Sequence, residues 1–187
     1  MVSSDNDMKN RQEEIRRQRE ADSRDQRNVD RLDDMTLQIL RKYRKRLEPS
    51  GYTSLPELWP DLKQVIDLSI QLEPYQAIQR LLNLTNYFYE FCHGYRADTE
   101  QDEFQEYFQH VENTWIYLFR QEGLGMTDRI RALNVLRDGH QLAAQELGVP
   151  DALNEALKAG LIQLQPQQEE EEPLATAIDE GQEGAQK

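Results

Sequence analysis

The sequence predicts an all-α protein, a compact bundle of five to six helices, on three observations. From Val29 to Leu161 apolar residues recur at three and four residues, the spacing that lays a stripe along an α-helix. No stretch shows sustained period-two alternation bounded by hairpin turns, so strands are not expected. Proline and glycine stand at the joints between stripes, at Pro49, Gly51, Pro74, Gly123, Gly148 and Pro150, where the chain must turn.

Residues 1–28 form a charged arm that cannot bury itself in a core, because Met8 and Ile15 are its only sizeable apolar side chains after Val2. Acids and bases alternate from Glu13 to Arg27, placing opposite charges three or four apart at ~0.2 to 0.5 kcal/mol per pair. The arm is expected as a solvated helix, or as disorder that becomes helical on contact.

The bundle follows over residues 29–162. Val29, Leu32, Thr36, Ile39, Tyr43 and Leu47 make the stripe of a first helix expected to end near Leu47. After the Pro49-Ser50-Gly51 turn, Ser54 and Glu57 have capping-box spacing with Pro56 between them, which predicts a short helical turn. Pro60 suits the first position of a second helix carrying Leu62, Val65, Ile66, Ser69 and Leu72, and Pro74 ends it while opening the third. The third helix, to about Tyr95, is apolar over so much of its circumference that it is expected at the centre, with Tyr75, Ile78, Leu82 and Phe88 on one face. Thr99 is expected to cap a fourth helix with the clearest stripe, Phe104, Tyr107, Phe108, Val111, Trp115, Leu118 and Phe119. Gly123 and Leu124 match a left-handed helix end. Thr127 can cap a fifth helix through Ile130, Leu133, Leu136 and Leu147, which Gly139 is expected to bend or split. Gly148 stops it, and Pro150-Asp151 opens a short sixth. Residues 163–187, with Glu169 to Glu172 and a Gly, Glu and Gln-rich end, cannot repay their ordering entropy and are expected as a disordered acidic tail.

Composition narrows the functions. Thirty-five acids against 22 bases give a net charge of -13, which argues against a surface shaped as a whole to coat nucleic acid. The single cysteine, Cys92, leaves no intramolecular disulfide and fits a reducing compartment. No apolar run spans a bilayer and no signal-peptide core is present, so a soluble, intracellular protein is expected, cytoplasmic or, in a eukaryote, nuclear. His93, His110 and His140 are widely separated, and phosphate loops, nucleophile elbows and dinucleotide fingerprints are absent. Glu90 and His93 are the only Glu-x-x-His pair, where a carboxylate di-metal bundle needs two. No enzyme, cofactor or metal site is therefore expected. Asn83-Leu84-Thr85 matches the glycosylation sequon but lies inside a helix.

Two features point to partners. Twelve of the fifteen aromatics fall between Tyr75 and Phe119, more than two helices are expected to hide, which makes Tyr87, Tyr89, Phe91, Tyr95 and Tyr117 candidates for an exposed interface patch. Arg41, Lys42, Arg44, Lys45 and Arg46 form a basic segment around Tyr43, suited to phosphates, to an acidic partner, or to the acids of residues 98–122 and 169–172. The first reading is a helical scaffold or adaptor acting through protein contacts, self-association and coiled-coil pairing among them. The alternative is an accessory subunit of a nucleic-acid complex using residues 41–46.

Overall fold

The computed structural model describes residues 3–162; the expected acidic tail, 163–187, lies outside them. The fold is all-α, with α1 (Ser3–Arg44), α2 (Leu55–Ser69), α3 (Pro74–Gly94), α4 (Gln101–Phe119), α5 (Met126–Glu146) and α6 (Asn154–Ile162), and no strand among the described residues. Helix α1 packs on α2, α2 on α3 and α4, and α3 on α4 and α5, while α6 closes across α4 and α5.

Helix α1 does not begin at Val29 but runs unbroken from Ser3. No proline or glycine interrupts those residues, and charges pair one turn apart, Arg17 with Glu13 and Arg16 with Glu20, each at 3.7 Å. From Met8 to Asn28 every described side chain is exposed, and Leu32 is the first that is buried. The helix ends at Arg44, before Leu47, because the Arg46 amide turns back to the Tyr43 carbonyl and the Glu48 amide to that of Lys45. Leu47 thereby leaves the stripe and is 96% exposed.

Helix α2 corrects a second boundary. Ser54 caps it, accepting from the Glu57 amide, while the Glu57 carboxylate takes the Thr53 amide at 2.7 Å. The helix then passes through Pro60 instead of starting there. An interior proline costs about 3 kcal/mol. Full burial of Leu55, Leu58 and Leu62, at roughly 1.5 to 3 kcal/mol each, outweighs it.

Helix α3 is central, as its wide apolar arc predicts, with Ile78, Leu81, Phe88, Phe91 and Cys92 buried. Trp115 of α4 donates to the Thr85 hydroxyl at 3.1 Å inside the core, which is why the sequon threonine is buried. Thr99 does not cap α4; its hydroxyl donates back to the Tyr95 carbonyl, and the Glu103 carboxylate takes the Glu100 amide at 2.9 Å. Gly123 and Gly148 adopt the left-handed φ values of +89° and +72° that their helix ends require. Helix α5 starts at Met126, one residue before the expected cap, and is unbroken at Gly139. That glycine serves packing: a β-carbon there would collide with the Tyr89 ring.

Helix α6 starts at Asn154, later than Pro150 predicts. Leu153, buried and at φ +65°, occupies a conformation that costs of order 1 to 3 kcal/mol away from glycine. Glu112 compensates from α4: its buried carboxylate accepts the amides of Glu155 and Ala156 at 2.7 and 3.3 Å. Among the described residues, no helix is long and apolar enough to cross a membrane.

Candidate helix-docking groove

Helices α1 and α3 run in the same direction on either side of α2, since Asp33 meets Arg80 and Tyr43 meets Glu90 at the same sequence offset. Their walls touch at one end and diverge at the other. Where they meet, the Tyr43 hydroxyl donates to the Glu90 carbonyl at 3.3 Å and the Tyr43 ring lies 4.6 Å from that of Phe91. A β-carbon on Gly94 would collide with that hydroxyl, so the close approach depends on glycine.

Where the helices diverge they leave a groove of about 620 Å³. Val29, Thr36, Leu37 and Leu40 form one wall, and Tyr75, Arg80, Leu84 and Tyr87 the other, with Leu72 at its end. Its surface is mostly apolar. Leu37 is 46% and Tyr75 69% exposed. Arg80, itself largely covered, pins the walls through its 2.8 Å ion pair to Asp33. Tyr75 was expected on the buried stripe of the third helix, but no described helix covers that part of it. The signal missed in α1 is the pair Leu37 and Leu40, which widens its apolar face beyond the stripe that α2 covers.

The aromatic patch is corrected in part. Tyr89, Phe91 and Tyr95 are buried: α2, α4 and α5 all pack on α3, and Tyr43 of α1 lies against the rings of Phe91 and Tyr95 at 4.6 and 5.7 Å. Tyr95 donates to the Tyr52 carbonyl at 3.0 Å. Tyr87 is half-buried in the groove wall. Tyr117 is exposed, 47%, on α4 and does not line the groove.

The basic segment is divided by the helix end. Lys42 lies 4.6 Å over the Tyr52 ring and 4.0 Å from the Asp61 carboxylate. Arg46 lies 4.5 Å over the Tyr43 ring, and Lys45 is 3.9 Å from Glu48. Arg41 and Arg44 face outward with no ion pair among the described residues. Among the described residues the acids these cations meet are thus Asp61 and Glu48, not those of residues 98–122, while residues 169–172 lie outside the described residues.

Each histidine ties two elements. His93 meets Glu146 at 3.0 Å, His110 meets Asp67 at 2.8 Å, and His140 meets the Ala152 carbonyl at 2.8 Å. Asp67 also holds Lys63 at 2.7 Å. Burial pushes the Cys92 thiol well above its ordinary pKa, which makes it a poor nucleophile. Among the described residues no three His, Cys, Asp or Glu side chains are grouped to hold a metal ion.

Compared with protein-family models, curated proteins and solved structures, the chain matches none.

Proposed function

We propose that this chain is a non-enzymatic interaction protein, a scaffold or adaptor that receives an amphipathic helix in the groove between α1 and α3. One observation carries the reading: a long, mostly apolar trough between two parallel helices, with Leu37 and Tyr75 left in water. The stretch of α1 that walls it, residues 29–40, spans about 16 Å, or three helical turns. That shape suits a helix laying an i, i+3, i+4, i+7 face between two walls, and contiguous exposed apolar surface marks such sites.

Nucleic acid is the weaker reading, because three of the five cations in residues 41–46 have a ring or carboxylate within the chain.

The test is photo-crosslinking in cells from position 76, in the groove, and from position 137, exposed on α5. The reading expects an adduct of defined mass from position 76 that Leu37→Asp removes. No adduct from position 76, or the same adduct from both positions, contradicts it.

A further inference from the structure

We propose that the occupant of the groove is the N-terminal half of α1 from a second copy of this chain, laid antiparallel, so that two copies exchange arms. The inference rests on the groove reading above and names its partner.

The α1 stripe that lines the groove does not stop where the bundle stops. Met8, Ile15, Val29, Thr36 and Tyr43 stand on one seven-residue repeat that Asp22 interrupts between Ile15 and Val29; such a repeat keeps one face of a helix toward a partner helix. Val29 and Thr36 line the groove and Tyr43 closes its end. Met8 and Ile15 continue the face outward and are exposed, 61% and 46%. Because α1 is continuous through residues 28 and 29, the arm cannot fold back into its own groove. A second copy's arm is free to enter it.

Charge selects the orientation. A parallel, in-register pair of α1 helices sets every charge against its own equivalent. With the helices antiparallel and Ile15 level with Val29, Met8 comes level with Thr36, so both apolar arm residues fall within the groove. In that register Arg11 is level with Asp33 and Arg19 with Asp25 on the side that faces the partner, two unlike pairings, against the like ones Glu14 with Asp30 and Asp22 with its own equivalent. Glu13, Arg17 and Glu20 and the residues level with them lie on the outer side of the repeat. The arrangement is two-fold symmetric, each copy giving an arm and a groove, so it closes at two copies.

The experiment uses the full chain in two ways. Light scattering over a dilution series is expected to show a concentration-dependent mass rising from 22.0 kDa toward twice that value. Ile15→Asp, on an exposed position that leaves the bundle folded, should weaken the dimer about tenfold or more. Separately, chains carrying Ile15→Cys and Val29→Cys are mixed under oxidation; Cys92 is buried and does not compete. A mixed disulfide from the two chains together, with none from either alone, is the expected result. A monomer at every concentration, a dimer indifferent to Ile15→Asp, or a disulfide between two Ile15→Cys chains would each overturn the proposal. A monomer that still gives the groove adduct from position 76 would remove the second copy as occupant and leave the groove reading standing.

Discussion

The buried Glu112 carboxylate of α4 holds the first turn of α6, its Oε1 lying 2.7 Å from the Glu155 amide nitrogen and 3.3 Å from that of Ala156. An anion at a helix N-terminus meets both orphan donors and the positive end of the helix dipole. Gln109 steadies its other oxygen at 3.1 Å.

Glu112→Ala is therefore expected to cost about 2 kcal/mol, the upper end for a lost cap, because the amides it leaves unsatisfied are partly buried. Urea unfolding measures the loss, and amide exchange should quicken in α6 before it does in α3. An unchanged urea midpoint would remove Glu112 from the account of how α6 is held.

The contact between Gly139 and Tyr89 gives two opposite effects. Alanine would gain about 1 kcal/mol over glycine in an open helix, but here the methyl group meets the Tyr89 ring. Gly139→Ala should instead destabilise by roughly 1 to 3 kcal/mol. The Tyr89 hydroxyl is buried without a hydrogen-bond partner among the described residues, so Tyr89→Phe should be neutral or stabilising by about 1 kcal/mol. Thermal unfolding checks both, with Gly139→Ala expected to melt below wild type and Tyr89→Phe at or above it.

Alkaline pH should loosen the fold through its buried phenols. Burial, then the charges of Glu103 and Glu106, raises Tyr107 from 10.0 to about 12. Tyr52 is raised as well, by burial and by its hydrogen bond to Asp61. A phenol with a raised folded pKa binds its proton longer in the folded state, so its contribution is complete below about pH 10 and is lost as pH rises toward about 12. Unfolding free energy should fall across that window, and less steeply in Tyr107→Phe. Equal slopes in the two proteins would show that Tyr107 does not carry the effect.

The divided basic segment limits any binding to DNA. Arg41 and Arg44 are the cations of this segment with no ion pair among the described residues, so the segment's share of the log-log salt slope on duplex DNA should be about -2. A slope of about -4 to -5, as five contacts require, would return the basic segment to the centre of the function.

The helices were legible because each buries one stripe, as Phe104 to Phe119 shows in α4. Boundaries failed where tertiary contacts outweigh local preference: the core beneath Leu58 and Leu62 carries α2 through Pro60, and the Tyr89 ring gives Gly139 a packing role inside an unbroken helix. Periodicity shows which face is apolar but not what covers it. It therefore placed Tyr75 in the core and left Phe91 and Tyr95 as candidates for the surface. The groove depends on the parallel course of α1 and α3, which no local pattern records. Glu112 was illegible for the same reason, since the amides it holds lie 43 and 44 residues further on.

The groove itself is tested most directly by the size of the assembly this chain forms in extracts of the cells that make it, wild type beside Leu37→Asp. Leu37 is half-exposed, so the substitution leaves the unfolding temperature in place. Wild type is expected to elute well above its 22.0 kDa and the variant as the monomer. Identical elution of the two folded proteins would contradict it.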